Sequence, residues 1–281
     1  MNALHPLSAP VAAGKADLTR LGLRTEAPVA LDNPALDGLD DRVFSAHAPF
    51  SRQGKRLNVG CTDDAWRDES IQLQRDYIRA CERFPNVAKV VCHLAPKIWF
   101  DAKTGALEQR GDYGRLIDAL AGHADLAAQQ GLMLVLENNR SYYHHQMPNA
   151  PGTPGGESEC EYFSALPEEW LQIVRDVGRD NCRACLDTSH ACTSAHRFPH
   201  PQRDAVMMAY LADPGLIGHV HWNGNDLDDI SGREDQHLTI DAGRLPAELH
   251  PTIAGLDATL HLEHFVDVAA LERELAFVGA L

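Results

Sequence analysis

Long apolar runs are missing from this chain: in 281 residues no stretch approaches the roughly 18 consecutive apolar residues of a membrane span, so no transmembrane helix is expected. Basic charge is scarce as well. Lys and Arg number 25 against 40 Asp and Glu, a net charge of −15, so there is no broad cationic surface for nucleic acid or anionic lipid, and a polyanion would need a local basic patch. A disulfide framework is also absent. The seven cysteines, Cys61, Cys81, Cys92, Cys160, Cys182, Cys185 and Cys192, are odd in number and scattered through apolar segments, as suits reduced core thiols. Cys182 and Cys185 form a C-x-x-C, but NCRACLD reads as a strand, where a separation of three points them to opposite faces and disfavours a bridge or shared zinc ligation. The opening MNALHPLSAPVAAGKADL interrupts its apolar residues with two prolines before a signal-like core forms, and a cytoplasmic protein is expected.

What is present is the composition of a folded protein with a sizeable core, 44% hydrophobic and 23% charged. Short apolar runs recur as VFSAHA, AKVVCHL, LMLVLE, CRACLD, LIGHVHW and TLHLEHF, and TRLGLRT near 19 and HLTID near 237 bring the candidate strands to eight. Helical segments lie between most of them. DESIQLQRDYIRACERF places Ile71, Ile78, Cys81 and Phe84 on one face, with Asp68 as the expected cap. YGRLIDALAGHADLAAQQG aligns Tyr113, Leu116, Ile117, Leu120 and Leu126 ahead of Gly131, and LPEEWLQIVRDVG runs from Pro167 in its first turn to Gly178. Eight strands alternating with helices predict an α/β fold, a single (β/α)₈ barrel over residues 1–281, with an N-terminal extension at 1–17 and a long rim loop at 138–166. A doubly wound open sheet is the alternative, but no glycine-rich phosphate turn follows TRLGLRTEAPVA.

The histidines, 15 in all, stand where such a barrel keeps its chemistry, at the carboxyl ends of strands. His47 ends VFSAHA, His93 ends KVVCH, Glu137 ends LMLVLE, Asp187 ends CRACLD with His190 three residues on, His221 ends GHVH, Glu263 follows TLHL, and Asp235 and His237 flank REDQH. His219 and His261 share parity with His221 and Glu263 and are expected inside the barrel. Four acids and five imidazoles converging on one mouth cannot all remain ionised and unpaired, because each desolvated charge costs several kcal/mol. Divalent cations resolve the conflict. Mixed His and carboxylate ligands suit Zn²⁺, Mn²⁺, Fe²⁺ or Co²⁺ and disfavour Ca²⁺. H-E-x-x-H and paired-cysteine motifs are absent, so the ligands come from distant strands.

In order, FSAHAPF, VVCHLAP, LENN, CLDTSHA, HVHWN, DQH and HLEHF resemble the xylose-isomerase-like TIM barrel superfamily, which unites sugar-phosphate isomerases and epimerases with endonuclease IV, over about residues 43–265. The resemblance implies that Glu137, Asp187, His221 and Glu263 are the ligands of a central metal. Its endonuclease IV branch implies two further metals, one on His47, His93 and Glu137, the other on His190, Asp235 and His237. One to three divalent ions per chain are thus expected.

Two chemistries lead, ahead of iron-based oxygen chemistry, which nothing in the sequence selects, and of metabolite binding without turnover, which does not need paired carboxylates. In an isomerase or epimerase of a sugar or sugar phosphate, Glu137 and Glu263 would move protons on either face of a carbon beside a carbonyl, and His190 would steer a hydroxyl. Lys97, Asn139, Arg140 and Asn223 are expected near that substrate, and Arg52, Lys55 and Arg56 in SRQGKR are candidate phosphate holders or solvated loop cations. In a phosphodiesterase cutting abasic DNA, three metals would activate water and stabilise the leaving oxygen, and Phe50 would be either a wedge in the base stack or packing. Nucleic acid is a partner under that alternative alone, and the acidic composition argues against it. HWNGND departs from the superfamily by placing Gly224 between its asparagines, which leaves Asn223, Asn225 and Asp226 without clear roles. Arg24 and Glu26 either reach the mouth or form a surface pair, and His144 and His145 either close over the substrate or face solvent.

Overall fold

The computed structural model describes residues 7–100, 107–141 and 159–281. Eight parallel strands form one sheet: β1 (Leu7–Ser8), β2 (Thr25–Ala27), β3 (Val43–His47), β4 (Lys89–His93), β5 (Met133–Glu137), β6 (Cys182–Asp187), β7 (Ile217–His221) and β8 (Thr259–His261). They are neighbours in chain order, β8 pairs back onto β1, and a bridge between Ser8 and Arg24 brings β1 beside β2, so the sheet rolls into a barrel. Around it lie α1 (Gly14–Arg20), α2 (Asp64–Ala80), α3 (Tyr113–Gln129), α4 (Pro167–Val177), α5 (Thr188–Ala195), α6 (Arg203–Ala209), α7 (Leu249–Ala254) and α8 (Val268–Ala280).

Local signals account for the helix boundaries. The α2 cap is Asp63, which accepts from the Trp66 amide at 3.1 Å, so the helix begins a turn earlier than a cap at Asp68 would allow. Asp112 caps α3 in the same way. Pro167 opens α4, beside Glu168 and Glu169 at its positive pole, and Gly178 ends it in the left-handed region at φ +60°. Trp170 of α4 is fully buried and donates from Nε1 to the Leu136 carbonyl at 2.8 Å, which fixes the helix on the barrel wall.

Two expected strands are placed differently. In TRLGLRT, Thr19 and Arg20 finish α1, and the barrel strand begins at Thr25. HLTID is not a barrel strand; it is a loop joined to Gly224 by a bridge from Leu238. Its apolar–polar alternation imitates a strand, but β8 takes its neighbour from Leu7–Ser8, within the expected N-terminal extension. There the Ser8 hydroxyl meets His261 Nδ1 at 2.8 Å, and the Ser8 carbonyl accepts from Leu262 N at 3.0 Å. Of the rim loop 138–166, residues 142–158 lie outside the described residues, and His144 and His145 with them. Its end, Glu159–Tyr162, pairs antiparallel with Pro96–Phe100.

Helices α2 and α3 meet over a buried polar contact, His123 Nε2 to Gln74 Oε1 at 3.1 Å. Burial, helped by the nearby Arg75 charge, pushes the His123 imidazole down to about 4 from 6.5. The unfolded chain therefore takes up this proton first as pH falls, and stability linked to His123 is complete above pH 6.5 and lost between 6.5 and about 4. The loss is on the order of 3 kcal/mol. Urea denaturation of wild type and His123→Gln at stepped pH is expected to show the wild type losing its advantage across that interval; curves that stay parallel would contradict it.

Candidate metal centre

The barrel mouth collects one polar side chain from almost every strand end. His47, His93, Glu137, Asp187 and His221 are the last residues of β3, β4, β5, β6 and β7, and Glu263 lies two residues beyond β8. Asp187 also caps α5, accepting from the His190 amide at 2.7 Å, which places His190 in the first turn beside it. Asp235 and His237 come from the loop between β7 and α7. All nine positions implied by the resemblance are therefore brought together.

The ligand atoms fall into three linked groups. His47 Nε2 and His93 Nε2 lie 3.3 and 3.1 Å from Glu137 Oε2. His221 Nδ1 lies 3.5 Å from Glu137 Oε1 and 3.3 Å from Glu263 Oε2, with Asp187 in the same group. His190 Nε2 and His237 Nε2 reach the two oxygens of Asp235 at 3.2 and 2.9 Å, and Asp187 belongs to this group too. Glu137 thus joins the first group to the second, and Asp187 joins the second to the third.

The donor set fits divalent cations. Both Glu137 oxygens, both His221 nitrogens and Asp235 Oδ1 are buried without a properly aligned hydrogen bond, although nitrogen and oxygen stand close together. Atoms arranged in this way point at shared positions rather than at one another, as a ligand shell does. Without cations the cluster must balance itself with protons. Burial pushes the Asp187 carboxyl up to about 8. His237 is raised to about 10, because Glu263, Asp235 and Asp187 outweigh its burial. Cation binding must expel such protons, so affinity falls as pH falls.

An outer layer holds the ligands. Asn138 accepts from Asp187 N at 2.6 Å and donates to the Asp187 carbonyl at 2.9 Å. Asn223 donates to Asp187 Oδ2 and Glu263 Oε2 at 3.2 and 3.4 Å and meets His264, which leans on Glu274 at 2.6 Å. Asn223, expected at the substrate, therefore supports two ligands. Glu26 reaches the mouth rather than forming a surface pair: it is a buried carboxylate with one oxygen 3.2 Å from His221 Nε2 and the other 3.2 Å from His219 Nε2. Among the other residues expected near substrate or phosphate, Lys97 is paired with Glu169 at 2.8 Å, Arg52 with Glu69 at 2.6 Å, and Arg140 lies 3.8 Å from Asp235. Asn139 contacts His93. Phe50 is packing: its ring stacks on His93 with centroids 4.9 Å apart. Asn225 ties Ser189 to the Glu234 carbonyl, and Asp226 accepts the amides of Asp228 and Asp229. Cys182 and Cys185 are both buried and free.

A family model described as the xylose isomerase-like TIM barrel matches residues 36–278. The chain belongs to that family. The superfamily barrel is also seen in solved structures. A D-tagatose 3-epimerase-like protein superposes with a TM-score of 0.67 at 18% identity, covering 98% of each chain. A 3-keto-D-glucoside 4-epimerase from E. coli gives 0.65 at 12% identity, covering 99% of this chain and 100% of that one. Among curated proteins, an uncharacterized protein of Methanocaldococcus jannaschii is 27% identical over 71% of this chain and 55% of its own length. D-psicose 3-epimerase of Agrobacterium fabrum is 27% identical over 48% of this chain and 40% of its own. The chain thus matches about half the length of these relatives. No helix among the described residues is long and apolar enough to cross a membrane.

Gly224 explains the departure in HWNGND. A Cβ there would stand 2.2 Å from the Thr239 carbonyl oxygen and 2.6 Å from that of Ala242, so only glycine lets the 235–243 loop close down. The loop presents His237 at φ +45°, a backbone conformation a histidine rarely adopts and one that the surrounding packing must enforce. Gly224→Ala is expected to lift this loop and to lose any cation that Asp235 and His237 would hold. Elemental analysis would then find fewer ions per chain than in wild type at unchanged helix content; an unchanged ratio would contradict this role.

Proposed function

We propose that this protein is a divalent-metal-dependent isomerase or epimerase of a sugar or sugar phosphate. The observation that carries the reading is the pair Glu137 and Glu263, two carboxylates from different strands that both approach His221 Nδ1 in the centre of the mouth. Burial alone would raise both, but His93 and His221 hold Glu137 well below the usual carboxylate range, and His221 and His237 do the same for Glu263. Both are bases at neutral pH. Names of relatives point the same way, since D-psicose 3-epimerase and 3-keto-D-glucoside 4-epimerase are among the matched proteins.

Glu137, Asp187, His221 and Glu263 would hold the central cation, which supplies positive charge to substrate oxygens as negative charge builds on them. One glutamate then removes the proton from the carbon beside the carbonyl. The other returns a proton to the opposite face for epimerisation, or the proton goes to the neighbouring carbon for isomerisation, and no atom is gained or lost. Asn223 holds Asp187 and Glu263 at fixed separation. His190 donates from Nδ1 to the Asn138 carbonyl at 2.8 Å and faces Asp235 with Nε2, which supports ligation ahead of steering a hydroxyl.

The two outer ligand groups favour a second reading, a metal-dependent phosphodiesterase acting on abasic DNA. Against it stand the pairing of Lys97 and Arg52 with acids and the packing of Phe50 on His93. Incubation with a panel of ketoses and ketose phosphates in D₂O separates the two. Deuterium is expected at the carbon beside the carbonyl, and Glu263→Gln and Asp187→Asn are each expected to reduce exchange by about 10²–10⁴-fold with the fold intact. Incision of an abasic duplex without deuterium incorporation would replace the epimerase reading with the phosphodiesterase.

A further inference from the structure

Accepting the mouth as a metal centre, we propose that its three cation positions are unequal and that the one between His47, His93 and Glu137 is exchangeable, filled last and lost first. Each ligating imidazole has a second nitrogen, and what that nitrogen meets decides where the ring hydrogen sits. For His47 it is the Ala48 carbonyl, to which Nδ1 donates at 3.0 Å. For His190 it is the Asn138 carbonyl at 2.8 Å, and for His237 the Glu263 carbonyl at 3.4 Å. For His221 it is the Glu26 carboxylate at 3.2 Å. All four partners are acceptors, three of them in hydrogen bonds and the Glu26 carboxylate as a close but unaligned anion, so the hydrogen is drawn to the outer nitrogen and the inner one is left bare for a cation.

His93 is the exception. Its Nδ1 lies 2.7 Å from Asn139 Nδ2, an amide nitrogen that can only donate. The amide is not free to turn over. Asn139 Oδ1 accepts from the Leu94 backbone N–H at 3.1 Å and from the Ser164 hydroxyl at 2.8 Å, and that hydroxyl is itself an acceptor for Asn139 N at 3.1 Å, which orients its hydrogen toward Oδ1. Exchanging oxygen and nitrogen would set an NH₂ against the Leu94 N–H. With Nδ1 accepting, the neutral His93 ring carries its hydrogen on Nε2, the nitrogen that faces Glu137 Oε2 and the cation position. A cation can use His93 only if that hydrogen moves to Nδ1, where it confronts the Asn139 donor, or if the ring turns away. Neither penalty exists at the other two positions.

Outer partners of metal-bound histidines change affinity by about 10–100-fold, which sets the expected size of the inequality. The test uses the full chain reconstituted with Zn²⁺, dialysed against a graded series of chelators and analysed for zinc per chain. Wild type is expected to release one ion at roughly 10–100-fold weaker chelation than the remaining two. In Asn139→Asp the new carboxylate keeps an acceptor for Leu94 and Ser164 and adds one for Nδ1–H, so the three ions should leave in one narrow range. Asn139→Ala, which deletes the donor without adding charge, should fall between and covers the case in which the aspartate variant fails to fold. Three ions that leave wild type together, or an early loss unaltered in both variants, would overturn the ranking while leaving the metal centre standing. A single ion in wild type and in both variants would overturn it as well. A chain that takes up no zinc would overturn the centre itself and the ranking with it.

Discussion

Glu137 is completely buried and surrounded by four imidazoles. A lone carboxylate in that place would cost several kcal/mol and would simply take up a proton. Here the surrounding rings hold it ionised, and it in turn draws the rings inward. Asp187, one strand further on and just as buried, lacks rings as close, and its carboxyl is pushed up to about 8. The mouth is thus a chain of carboxylates and imidazoles in which no member can be removed without stranding its neighbour's charge. Stability of the empty site requires internal protons, and under the proposed function those protons would be exchanged for cations.

Holding such a cluster demands rigidity below it, and the barrel interior supplies a polar column where apolar layers are usual. Lys89, at the opposite end of β4 from His93, donates to Thr259 Oγ1 at 2.8 Å; Thr259 meets His219 Nδ1 at 2.5 Å; and His219 Nε2 reaches Glu26 at 3.2 Å. Glu26 then faces His221. The Lys89 ammonium donates to the Thr259 hydroxyl, and the Glu26 carboxylate is the acceptor at the other end, one oxygen facing His219 and the other His221. The apolar core lies outside, between the strands and helices, in Ile78, Leu120, Leu134 and Trp170. The two cores are separate in purpose: one drives folding, the other sets the orientation of His221.

The ligands were legible because a parallel barrel concentrates polar residues at strand ends, and an apolar run that stops at His, Glu or Asp is visible in one dimension. The barrel was legible for a related reason, since buried parallel strands read as continuous runs. What escaped lacks such a signature. Leu7–Ser8 is too short to show any period, so HLTID, whose alternation is real but local, took its place in the expected strand count. Glu26 was legible as a residue that could reach the mouth, but nothing in its three-residue strand marks it as the partner of two histidines some 200 positions away.

Asn138 and Asn139 show a deeper limit. They are adjacent and identical in chemistry, yet their effects on the centre are opposite: the Asn138 carbonyl takes the His190 hydrogen and readies that ring for a cation, while the Asn139 amide gives a hydrogen to His93 and holds that ring back. Residue type states which donors and acceptors are available, but only the surrounding bonds state which of them is used. For Asn139 the deciding bonds come from Leu94 and Ser164, neither of which touches a ligand atom in the cluster. Counting ligands therefore overstates how alike the three positions are, because a metal site is built as much by the hydrogen atoms its outer partners direct as by the nitrogens and oxygens it collects.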